Sequence, residues 1–156
     1  MIYIAVIGGS VCTKEEEAVA RKVGEEVARL GGILVCGGGS GVMEAASKGS
    51  AGIGGLVLGI LPDHDPRSGN VYLTAAIATG LGEARNAIIT HTADVVIAIG
   101  GEYGTLSEIA LALKMGKPVV GLNSWSLHAP RKIEGGIIEA EEAEEAVTRA
   151  FELAEG

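Results

Sequence analysis

The sequence predicts a three-layer α/β domain built on a parallel sheet of six to seven strands. Two observations carry this. Short apolar runs rich in β-branched residues alternate with helical stretches along all 156 residues, the order expected of a parallel sheet. Several of these runs, such as residues 2–7 (IYIAVI) and 94–99 (DVVIAI), are apolar on consecutive positions, as strands are when helices cover both faces of the sheet.

The elements follow in order. The first strand spans residues 2–7 and ends in Gly8-Gly9-Ser10. Thr13-Lys14-Glu15-Glu16 is a T-x-x-E capping box, after which Val19, Val23, Val27 and Leu30 form one apolar stripe and Gly31-Gly32 stops the helix. A strand at 33–36 leads into Gly37-Gly38-Gly39-Ser40-Gly41 and a helix over 41–48. Strands are expected at 56–60 and about 74–78, separated by the polar loop 62–73. A helix at 83–91 precedes the strand at 94–99. The turn Gly100-Gly101-Glu102-Tyr103-Gly104-Thr105 then opens a helix over 105–115. A strand at 118–122, a short one near 136–138 and a helix at 140–153 complete the chain, read as a single domain over residues 1–156 without repeat or linker.

Composition narrows the function. Twelve Lys and Arg against twenty Asp and Glu give a net charge of −8, with an isoelectric point near 4.9. Nucleic-acid binding by counterion release needs clustered cations, so that class is excluded. No apolar run reaches the roughly 18 residues of a membrane span. The start lacks a basic leader segment, and two cysteines make no disulfide framework; a cytoplasmic setting is expected. Glycine, however, is 25 of 156 residues, about twice the usual share.

Nine of those glycines fall in the three turns, each at the carboxyl edge of the sheet, where open α/β folds bind ligands. Glycine lets the backbone approach a phosphate, and a helix start behind it offers unpaired N–H groups. The candidate phosphate and ligand residues are Gly8, Gly9, Ser10, Gly38, Gly39, Ser40, Gly100, Gly101, Gly104 and Thr105. The strict G-x-G-x-x-G and G-x-x-x-x-G-K-[ST] motifs are absent. Thr105-Leu106-Ser107-Glu108 also reads as a capping box, so Glu108 is either a helix cap or a ligand residue. Ser40 is a phosphate donor or a helix cap. Asp63-His64-Asp65 has no further His or Cys at ligand spacing, so no metal site is expected. His91 and His128 read as structural, Cys12 and Cys36 as buried thiols near strand ends, and Trp125 as the wall of a ring-binding cleft or a subunit contact.

GGGSGVMEAASKGS, GILPD and EARNAIITHTADVVIAIGGEYGTLSEIALALKMGKPVVGL resemble the LOG-like Rossmann superfamily long labelled "possible lysine decarboxylases". Its characterised enzymes are cytokinin riboside 5′-monophosphate phosphoribohydrolases. The closer resemblance is to a short branch containing molybdenum-cofactor carrier proteins. The resemblance implies a Rossmann-like fold and, where the family hydrolyses an N-glycosidic bond, catalytic roles for Arg85 and Glu108. It also places Gly101, Gly104 and Thr105 around a 5′-phosphate, with Asn86 beside them. Two departures stand out: Ala84-Arg85-Asn86 replaces Met-Arg-Lys, and Glu102 replaces the second glycine of a GG pair. A carboxylate repels phosphate, so either Glu102 points away or the ligand is not the usual monophosphate. Nothing in the chain resembles a pyridoxal-phosphate site.

The readings carried forward are a binding or carrier protein for a phosphorylated pterin- or nucleotide-type ligand, and a nucleoside 5′-monophosphate phosphoribohydrolase. A ligand-sensing module is the third. No cofactor is required for any of them; a bound nucleotide monophosphate or molybdenum cofactor is the expected occupant. The 105–115 helix reads apolar nearly all round, and from this a homo-oligomer packed through it is expected.

Overall fold

The computed structural model describes residues 1–156. Seven strands form one sheet, β1 (Tyr3–Gly8), β2 (Ile33–Cys36), β3 (Leu56–Leu61), β4 (Ala75–Ala78), β5 (Val95–Ile99), β6 (Val119–Leu122) and β7 (Ile137–Ala140). Their spatial order is β4-β3-β2-β1-β5-β6-β7, and every neighbouring pair is parallel. This is the Rossmann-like α/β fold that the sequence predicts. The chain runs outward from β1 to β4, then returns to place β5 on the other side of β1. The carboxyl ends of β1 and β5 are therefore the topological switch point, where a crevice opens because the connections leave in opposite directions.

The helices are α1 (Lys14–Arg29), α2 (Val42–Gly52), α3 (Asn86–Thr92), α4 (Tyr103–Lys114) and α5 (Ala143–Glu155). β1 shows why both faces need cover: Ile4 and Val6 join one buried cluster, Ala5 and Ile7 the other. The first cluster, with 21 buried residues, takes α1, α2 and α5. The second, with 11, takes α3 and α4, so the second face has the thinner cover.

Four boundaries differ from the sequence-based expectation. α2 runs to Gly52, beyond Lys48. Its Gly49, unfavourable in a helix by local propensity, lies against α1, and a Cβ there would stand 2.0 Å from the Arg21 carbonyl oxygen. Gly24 of α1 returns the contact, 1.9 Å from the Ala46 carbonyl oxygen on the same test. Tertiary packing overrides propensity. Residues Gly82–Arg85 form a 3-10 turn, and α3 begins only at Asn86. α4 starts at Tyr103 rather than Thr105. β7 continues through Ala140, and α5 begins at Ala143. No helix is long and apolar enough to cross a membrane.

Candidate functional site

A cleft of about 760 Å³ lies at the switch point. Gly8, Gly9 and Ser10 from the end of β1 form one wall. Gly101, Glu102, Gly104, Thr105 and Glu108 from the β5–α4 connection form another, and Arg85 and Asn86 close it from the turn before α3. The three glycine-rich turns are not equivalent. Gly38, Gly39 and Ser40 do not line the cleft. A Cβ on Gly38 would strike the Leu61 side chain, the Gly39 carbonyl accepts from Asn70 Nδ2, and Ser40 Oγ donates to the Ser10 carbonyl at 2.9 Å. Gly100 is outside the lining too, its carbonyl accepting from Ser124 Oγ at 2.7 Å. The sequence had no signal for this distinction, because a turn's partners come from distant strands.

The helix starts differ as well. α1 is sealed by its capping box, with Thr13 Oγ1 accepting from Glu16 N at 3.1 Å. α4 has Glu102 at its N-cap position and no side-chain cap bond. Of the two readings left open for Thr105–Glu108, the capping box does not form. The helix begins two residues earlier, which carries Glu108 into its second turn, and Ser107 Oγ bonds the Gly104 carbonyl instead. The amides of Tyr103, Gly104 and Thr105 thus lack intrahelical acceptors, and Gly104 and Thr105 line the cleft. Gly101 permits this turn: its φ is 94°, and a Cβ would meet the buried Thr105 side chain at 2.3 Å.

Glu108 is 8% exposed. Burial pushes its carboxyl up to about 7, against the opposing pull of Arg85. No ion pair joins the two. Arg85 spends its guanidinium on Asn86 Oδ1 and on the Gly37 carbonyl, 3.4 Å away, and its Nε is buried with no partner. A buried donor without a partner and a carboxyl that makes no side-chain hydrogen bond or ion pair lie in one cleft, as expected of a site that awaits a ligand.

Glu102 remains among the lining residues, with Glu16 and Glu83. Arg85 is therefore the single cation among four carboxylates. Met43 and Pro62 add apolar wall, and no aromatic ring lines the cleft. Of the two thiols, Cys36 is buried, with its thiol pushed up chiefly by burial. Cys12 is only half-buried, a correction to the expectation of two buried thiols. Neither lines this cleft. Asp63 accepts from Ser68 Oγ and Asp65 from Arg67, and no group of three or more His, Cys, Asp or Glu is arranged to hold a metal ion. His91 and His128 are exposed, with His91 Nδ1 2.7 Å from the Ala87 carbonyl.

The chain is a Rossmann-like α/β protein with a polar, glycine-walled cleft at its switch point, the place where open α/β folds bind ligands. Residues 1–154 match the SLOG cluster4 family, and the chain belongs to that family. An uncharacterised protein of Archaeoglobus fulgidus is 47% identical over 135 residues, covering 86% of this chain and 85% of that one. The molybdenum cofactor binding protein of Rippkaea orientalis superposes with a TM-score of 0.88 at 34% identity, over 97% of this chain and 96% of that one. The molybdenum cofactor carrier protein of Chlamydomonas reinhardtii gives 0.85 at 31% identity over 99% of each. The resemblance drawn from the motifs fits these neighbours.

Proposed function

We propose that the protein binds and carries a small phosphorylated ligand of pterin or nucleotide type, a molybdenum-cofactor-like compound, in the switch-point cleft. The observation that carries this reading is the uncapped start of α4 facing Arg85 across the cleft. Free amides and the positive end of a helix stabilise an anion there by on the order of 1 kcal/mol before specific hydrogen bonds. The ligand residues in this reading are Gly8, Gly9, Ser10, Arg85, Asn86, Gly101, Gly104, Thr105 and Glu108, with Gly38, Gly39, Ser40 and Gly100 supporting the turns behind them. Overall similarity to a molybdenum cofactor carrier protein and a molybdenum cofactor binding protein supports the carrier role. The four carboxylates argue against a polyphosphate and for a single phosphate joined to a group rich in N–H donors.

The residues fit a molybdenum-cofactor-type ligand on two grounds: orphaned Arg85 Nε supplies a buried donor, and the Gly101 turn leaves the backbone bare where a Cβ would fill it. Bound there, the ligand would bring its own metal chemistry; the chain holds, orients and shields it.

A second reading rests on Glu108. A buried carboxyl titrating near neutrality, beside an arginine, is suited to general acid–base or electrostatic work on an N-glycosidic bond. One experiment separates the two. The wild-type protein is incubated with AMP and GMP, and free base is measured. The carrier reading expects binding with no release; base release that disappears in Glu108→Gln would replace it with the hydrolase. The homo-oligomer belongs to the same proposal: the outer side of α4 exposes Tyr103, Ala110 and Leu111 on the more thinly covered face.

A further inference from the structure

The main cleft contains no aromatic side chain, yet the ligand class proposed for it carries a flat ring. The chain has one Trp, three Tyr and one Phe, and two of these five meet at the rim of the site. Tyr103 stacks on Trp125 with ring centroids 5.8 Å apart, and Tyr103 is 80% exposed. Tyr103 takes no part in the core, whereas Trp125 is partly buried and packs against the second core cluster while reaching the rim. Trp125 Nε1 donates to the Glu102 carbonyl at 3.2 Å, so the indole is fixed to a residue of the main cleft. It also lines a second cleft of about 360 Å³ at the carboxyl ends of β6 and β7. Glu139 and Glu141, two apart at the end of β7, share that cleft with Asn123. Both carboxylates are exposed, and the ion pairs of the chain lie elsewhere, on α1, α5 and the Asp65–Arg67 turn.

We propose that this second cleft seats the planar heterocycle of the ligand, a ring with an adjacent N–H and NH₂ edge such as guanine or a pterin, stacked on Trp125 and read by Glu139 and Glu141. The inference rests on the carrier reading, since the phosphate must first lie at α4. A carboxylate only accepts, and its two oxygens match two parallel donors. An adenine-type edge, which presents a ring acceptor beside its amino group, makes one of those bonds and faces repulsion at the other. Aromatic stacking adds affinity for any ring; the carboxylates select among rings. The two clefts share a border, where Trp125 of the second donates to the Glu102 carbonyl of the first, and in this proposal the ligand reaches across that border.

Trp125 is the sole tryptophan, which makes the test direct. The full chain is titrated with GMP, AMP and inorganic phosphate, following intrinsic fluorescence and heat. GMP should quench the emission saturably and bind at least tenfold more tightly than AMP, while phosphate competes with GMP without quenching. Glu139→Gln combined with Glu141→Gln should bring GMP and AMP within twofold. Trp125→Ala should weaken GMP at least tenfold, and Trp125→Phe should restore most of it. GMP and AMP bound equally with unchanged emission would overturn the subsite while leaving the carrier reading intact. No binding of any of the three probes would overturn both. Emission that follows protein concentration rather than GMP would assign the aromatic pair to a contact between subunits and overturn the proposal.

Discussion

Two glutamates of nearly equal burial mark the two kinds of region in this molecule. Glu26, on α1, is 6% exposed; Glu108, on α4, is 8% exposed. Glu26 extends its carboxylate to Arg29 at 2.6 Å and Lys22 at 3.1 Å, and chiefly the Arg29 hydrogen bond holds it below the usual carboxylate range. Glu108 has no such partner and is pushed up to about 7. Burial alone therefore does not identify a site. What separates the regions is whether the buried group has been satisfied by its own chain. Around Glu26 the chain supplies a capped α1 and two glycines that bring α1 and α2 into backbone contact, with Ser50 Oγ of α2 the one buried side-chain oxygen there left without a partner. Around Glu108 it has left a cap, a guanidinium nitrogen and a carboxyl open.

The largest expected effect breaks the satisfied region. Gly24→Ala puts a methyl where the Ala46 carbonyl stands, so α1 and α2 must move apart. We expect a loss of about 3 kcal/mol, seen as a lower urea midpoint with little change in slope. The melting temperature should fall by roughly 6–12 °C.

The next effect concerns Glu108 and its sign. Its carboxyl is raised in the folded state, so folding favours the protonated form. That contribution is fully present below the unfolded value near 4.5 and is lost as pH rises through about 7. Glu108→Gln removes the dependence. The variant should gain stability over the wild type between pH 5 and 8, by on the order of 2–3 kcal/mol in denaturant titrations. A flat difference across that range would place the carboxyl in solvent.

The smallest effect is the mirror image. Glu26 is lowered, so its contribution is present above the unfolded value and is lost as pH falls through the lower folded one. Its partners are exposed, with side chains 42% and 60% accessible, so solvent screens the pair. Glu26→Gln should cost at most about 1 kcal/mol at pH 7, and the cost should shrink as the pH falls below the ordinary carboxylate range.

The two regions were also unequally legible in the sequence. Strand positions followed from consecutive β-branched residues, and α1 from a capping box whose two bonds both form. Those signals are local. The cleft depends on which distant segments meet, and local patterns misled there. Thr105–Glu108 has the letters of a capping box, but two extra residues join the helix ahead of it. Gly38 and Gly39 look like phosphate-cradle glycines, but they pack against Leu61 and bond Asn70. Gly49 looks like a helix end, but it is a contact surface for Arg21. The grouping of Arg85 with Glu108 was available only through resemblance to relatives. The carboxylates that join them, Glu16 and Glu83, gave no sequence signal, because one lies in a capped helix and the other in a turn.

The central claim is that the open region is where the ligand's phosphate rests. A crystal structure of the protein with GMP tests it most directly. The account predicts phosphate oxygens within hydrogen-bond distance of the amides of Gly104 and Thr105, with Arg85 reoriented toward them. A phosphate found at the amino edge of the sheet, or on Arg131 and Lys132 away from α4, would contradict it.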